Sequence, residues 1–167
     1  MKTFFIFTIT ILLASCSTIG EKKVGQATLQ NQYIEENGKR YSYIFTAVNG
    51  EKLKLPNFGP PKNDHFIDPG KKSIDLEVNF KLPETAYVHW STKFKGIFVE
   101  LKENETYKIK SSINNWCVKL EIINSSGVVV AGPLYSQPGV KDGRLHDTID
   151  DIKFREAVTY FRTQTCP

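Results

Sequence analysis

Few residues of this 167-residue chain could do chemistry: three histidines, three cysteines and scattered carboxylates. Asp64-His65 with Asp68 is one place where imidazole and carboxylate lie close in sequence, and His146-Asp147 with Asp150 and Asp151 is the other. Imidazole suits zinc and carboxylates alone suit calcium. Neither spacing follows a known ligand loop. Solvated loop acids and helix capping account for both sets, so no metal and no cofactor is expected. Tyr87, His89 and Trp90 form a third group, an aromatic platform on which a sugar or peptide could stack. Aromatic residues in β-rich chains more often fill the core. No Gly-x-Ser-x-Gly, His-Glu-x-x-His or phosphate-binding loop occurs. A Ser-His-Asp triad is assembled in space, so a missing motif is not proof. The expectation is still a protein without catalytic residues.

Cys16 has a different context. Lys2 precedes an apolar run from Phe4 to Leu13, and Ala14-Ser15 then leads into the cysteine. The run is shorter than the roughly 20 residues needed to cross a bilayer, and charges interrupt every later candidate. A basic start, a short apolar run and small residues before a cut are the marks of a secretory signal. Leu13-Ala14-Ser15-Cys16 resembles the lipobox of bacterial lipoproteins at every position. That resemblance implies removal of residues 1–15, a diacylglyceryl thioether on Cys16 and usually a third acyl chain on its amine. Each buried methylene contributes roughly 0.8 kcal/mol, and two or more chains hold a protein stably. Ser17 is not an aspartate, which by resemblance to enterobacterial sorting implies the outer membrane. The implied address is the bacterial cell envelope, with the membrane as a partner through the lipid. The competing reading is an ordinary secretory signal with an incidental cysteine.

Cys117 and Cys166 remain as an even pair, and an oxidising compartment makes a disulfide between them the expected state. Such a bridge closes a loop of about 50 residues, for which chain entropy gives roughly 4 kcal/mol before strain. Two separate buried thiols are the alternative. The formal charge of +4 falls by one when Lys2 is removed and is scattered, so no nucleic acid partner is expected.

The elements that must position these residues read mostly as strands. Residues 16–38 are polar and look like a tether that would hold the domain clear of the headgroups; residues 39–167 form one domain. Arg40 to Val48, Asn49-Gly50 and Glu51 to Leu55 make a hairpin signal. Residues 56–71 read as a Pro-rich loop. Ile74, Leu76, Val78, Phe80 and Leu82 alternate with polar residues that include Asp75 and Glu77, which places one face in the core and one in water. Ile97, Val99 and Leu101, then Tyr107 and Ile109, then Trp116, Val118, Leu120 and Ile122 form further inward faces. A turn at residues 124–127 leads into a strand over 128–131, and residues 132–143 read as loop. Phe154, Ala157, Val158 and Phe161 share one face of a helix over 150–162, with a last strand as the alternative. Cys117 shares its side with Lys119 and Glu121, so a bridge to Cys166 would pin the C-terminal tail to the outside.

Regularly spaced strands argue a mainly β fold, an antiparallel β-sandwich. The segment from Asp68 to Ala131 resembles small immunoglobulin-like or transthyretin-like envelope modules in pattern. Lys93, Lys95, Lys102, Lys108 and Lys110 make a basic patch if they share a face; protection of strand edges is the plainer reading. The function expected is a non-catalytic binding or assembly module for another envelope component, a protein. A small-ligand or glycan module using the Pro-rich loop with Tyr87, His89 and Trp90 is the alternative, and a hydrolase with a spatially assembled site is the third.

Overall fold

The clearest alternating run in the sequence becomes the middle strand of the larger of two sheets. The computed structural model describes residues 22–55, 63–83, 89–114, 117–140 and 166–167. Within them lie eleven strands: β1 (Ala27–Gln30), β2 (Gln32–Glu36), β3 (Lys39–Val48), β4 (Glu51–Lys52), β5 (Asp64–Ile67), β6 (Gly70–Lys81), β7 (Trp90–Leu101), β8 (Thr106–Asn114), β9 (Cys117–Asn124), β10 (Val129–Ser136) and β11 (Gly139–Val140). No α-helix occurs among the described residues. The larger sheet runs β11-β7-β6-β3-β2, with β4 paired to β3, and the smaller runs β10-β9-β8-β1-β5. All pairs are antiparallel except β1 with β8.

The inward faces of the two sheets meet in one hydrophobic cluster. Phe45, Ile74, Leu76, Val78, Phe80, Phe94, Ile97, Val99 and Leu101 come from the larger sheet; Ala27, Leu29, Tyr107, Ile109, Val118, Leu120 and Ile122 come from the smaller. The faces expected for β6, β7, β8 and β9 are therefore those observed; Trp116 lies outside the described residues. Two bulges keep the pattern in phase. Opposite Asp75, β7 carries the extra residue of Lys95-Gly96, so both Phe94 and Ile97 face inward. Gly96 has φ 66° and its N–H donates to Asp75 Oδ1 at 2.9 Å. On β3 the extra residue is Thr46, which lets both Phe45 and Val48 reach the core. Where β7 crosses to β8, the buried Tyr107 hydroxyl accepts from the Lys102 N–H at 2.8 Å and donates to the Glu100 carbonyl at 3.4 Å.

Several sequence expectations need correction. Residues 27–36 are not tether: β1 and β2 are strands, and Ala27 and Leu29 lie in the core. Asn37-Gly38 closes a β2–β3 hairpin with φ 51° and 74°, as Asn49-Gly50 closes β3–β4 with φ 51° and 82°. Two positive φ values in succession are what this two-residue turn demands, and Asn-Gly supplies them. Residues 64–67, read as loop, form β5 against β1. Residues 132–136, also read as loop, continue β10 as an edge strand with two register shifts. An edge tolerates Pro133 because no neighbour needs its missing N–H. Gly132 has φ 104°, and a Cβ there would stand 2.7 Å from the Leu120 carbonyl oxygen, so this bend requires glycine. The helix expected over 150–162 and the anchor residues 1–17 lie outside the described residues.

Candidate functional site

Only Asn31 separates β1 from β2, and these strands belong to different sheets. The chain therefore changes sheet at a single residue, and that residue is buried. Such a corner leaves backbone groups off both ladders, and buried ones must find partners. Asn31 Oδ1 accepts from the Phe45 N–H at 2.8 Å, beside the β3 bulge. That bond sets the orientation of the carboxamide. Its NH2 group then points to His65 Nε2 at 3.1 Å and to Asn63 Oδ1 at 3.3 Å. Asn63 Nδ2 donates onward to the Lys54 carbonyl at 3.0 Å. The corner thus ties β1, β3, β5 and the segment after β4 together.

The electrostatics follow from this geometry. His65 stands opposite Leu29 on β5 and is buried. Because Nε2 accepts from an amide, the imidazole is neutral and carries its hydrogen on Nδ1. Burial pushes its pKa below the ordinary histidine value, with the neighbouring Asp64 carboxylate pulling the other way. Its lone pair is already engaged, so the arrangement holds a strand corner and is not set up to accept a proton from a substrate. Next in the chain, Gln32 Oε1 is buried without a hydrogen-bond partner. Further along the interior, burial raises the Tyr43 phenol, and the Ser111 hydroxyl beside it opposes this from outside hydrogen-bond geometry. The rings of Tyr41 and Tyr43 stack with centroids 6.3 Å apart and planes 6° from parallel.

The residues singled out from sequence are dispersed. Trp90 is 3 % exposed and belongs to the core, while His89 before it is exposed. With one ring in the core and the other in water, they form no shared platform; Tyr87 lies outside the described residues. Asp64, His65 and Asp68 do not converge. His65 turns inward, and Asp68 in the β5–β6 turn accepts from Gln26 Nε2 at 3.1 Å. The set around His146 lies outside the described residues. Lys93 and Lys95 lie on the outer face of the larger sheet, and Lys108 and Lys110 on the outer face of the smaller one, with Lys102 in the connecting turn. They share no face. Cys117 and Cys166 stand at disulfide distance, 2.05 Å between sulfurs and 5.3 Å between Cα atoms. Cys117 alternates with the inward Val118 yet is only 6 % exposed, so the outer face is covered at this point. Glu77 likewise lies on the outer face but is not in open water: its side chain is 14 % exposed and accepts from Ser91 Oγ at 3.2 Å.

Sequence reasoning missed Asn31. The signal that could have found it is Asn37-Gly38, which marks a hairpin whose first strand must occupy the polar stretch before it. A scan of protein-family models finds no match to this chain, and searches of curated proteins and of solved structures likewise match nothing.

Proposed function

We propose that this chain is a lipid-anchored, non-catalytic protein of the bacterial cell envelope, held in the outer membrane through Cys16. The observation that carries the reading is Leu13-Ala14-Ser15-Cys16 behind a short apolar run with a basic start. A cysteine pair at disulfide distance suits a chain exported to an oxidising compartment. We read the two facing sheets as a β-sandwich of immunoglobulin-like or transthyretin-like character, followed by an amphipathic helix over 150–162. Its role in this reading is to bind another envelope component, a protein, as an accessory or assembly subunit. The one buried imidazole of the described residues is committed to a corner hydrogen bond, which favours a binding role over an enzymatic one.

The test is Cys16→Ala in the producing cell. The unaltered chain should fractionate with membranes and carry acyl mass on an N-terminal Cys16. The variant should persist as precursor or lose that mass. A mature Cys16→Ala protein of unchanged acyl mass in the membrane sinks the anchor. Crosslinking of the anchored protein in intact cells, with identification of the captured envelope protein, tests the binding role.

A further inference from the structure

Val24 is fully exposed at 101 % and Val128 is exposed at 58 %. The two lie far apart in sequence and at the same end of the fold. Gly25 N–H donates to Asn104 Oδ1 at 3.3 Å, which ties the start of the described chain to the β7–β8 turn. Ser125 Oγ donates to Glu105 Oε1 at 3.0 Å, which ties the β9–β10 turn to the same place. Lys22, Lys23 and Lys102 are exposed around these valines, with Glu103 among them. The opposite end carries the β2–β3 hairpin and the Cys117–Cys166 pair.

We infer that the end of the fold bearing Val24 and Val128 rests on the polar surface of the bilayer that holds the anchor. The inference rests on the lipid-anchor reading. Its carrying observation is the place where the N-terminal segment is tied to the body, at the Gly25–Asn104 hydrogen bond. Gly25 is nine residues after Cys16, a stretch that reaches about 30 Å when fully extended. β6 and β7 are 12 residues each, roughly 40 Å at the rise of a strand. Even fully extended, that stretch is shorter than the body, so the end to which Gly25 is tied stays the nearer one to the lipid. At that end the surface has the matching chemistry: small apolar tips that can enter between headgroups, and ammonium groups that meet lipid phosphates.

The experiment uses the full acylated chain in vesicles of phosphatidylethanolamine and phosphatidylglycerol containing brominated lipid. Val128→Cys and Glu36→Cys, each labelled with an environment-sensitive fluorophore, report the two ends. Both positions are exposed, and acylation of Cys16 with pairing of Cys117 and Cys166 leaves the introduced thiol for the label. The Val128→Cys probe should shift to the blue and be quenched by the brominated lipid, and the Glu36→Cys probe should do neither. Equal behaviour of the two probes on protein whose mass shows the acyl chains overturns the orientation and leaves the anchor standing. Protein without acyl mass overturns the anchor and the orientation with it.

Discussion

The β6 stripe and the Asn31 corner are both buried, but they are buried for different reasons. Ile74, Leu76, Val78 and Phe80 bury apolar surface on a regular strand in the middle of a sheet. Their contribution is non-directional and scales with area removed from water. Asn31 buries a carboxamide where the strand leaves one sheet for the other, and its contribution is directional. Any apolar residue of similar volume would nearly serve at Val78. At Asn31 a replacement must both accept from Phe45 N–H and donate toward His65. The comparison teaches that this fold is held by area in its strands and by orientation where strands change sheet.

The largest expected effect breaks the stripe. Leu76→Ala should cost about 2–5 kcal/mol, the range for a large-to-small change at a buried site, read as a shifted denaturant midpoint with unchanged slope. Loss of the Cys117–Cys166 link through Cys117→Ser should cost about 2–4 kcal/mol and should leave a titratable thiol at Cys166. Two titratable thiols in freshly isolated, unreduced wild-type protein would contradict the link.

Breaking the corner should cost less than breaking the stripe. Asn31→Ala leaves the Phe45 N–H without its acceptor, for which about 1–3 kcal/mol is expected, with Asn31→Asp recovering only part because it cannot donate to His65. A cost for Asn31→Ala below that of Phe98→Ser would show that the corner contributes nothing. The corner should also respond to acid. The unfolded chain takes up a proton at His65 as pH falls through about 6.5, while burial keeps the folded imidazole neutral to lower pH. The contribution is therefore complete above that value and is lost as pH falls toward the lower folded pKa. Thermal midpoints measured downward from neutral pH should fall more steeply for the wild type than for His65→Gln, which cannot titrate; equal slopes would remove His65 as the cause.

The outer face should respond least. Phe98 is 81 % exposed on β7, and Phe98→Ser should stay within about 0.5 kcal/mol. Glu77→Ala should cost about 1 kcal/mol, because its carboxylate is mostly covered and accepts from Ser91. A Glu77 cost as large as that of Leu76 would mean that β6 presents its other side to the core.

The long strands were legible in the sequence because period-two alternation over eight or more residues leaves one consistent choice of face. On β7 the face read correctly beyond the bulge, from Ile97 to Leu101. The short strands were not legible. β1 and β5 have four residues each, too few for a period to stand out, and they form through partners distant in sequence, β1 between β8 and β5 and β5 against β1. Asn37-Gly38 carried the same turn chemistry as Asn49-Gly50, but polar residues before it hid the strand. Trp90 and His89 are adjacent in sequence, yet Trp90 is buried as the first residue of β7 and His89, just before the strand, is exposed.

By itself, then, the sequence determined the inward faces of β6 through β9, the turn at Asn49-Gly50 and the availability of Cys117 and Cys166 as a pair. Those features depend on residue type and local spacing alone. Tertiary structure decided that Asn31, Asn63 and His65 meet, that Lys93 and Lys95 stand on a different sheet from Lys108 and Lys110, and that Gly25 is tied to the β7–β8 turn through Asn104. Each of these depends on which strands pair across tens of residues, and strand pairing is settled by burial over the whole core rather than by the residues that it brings together.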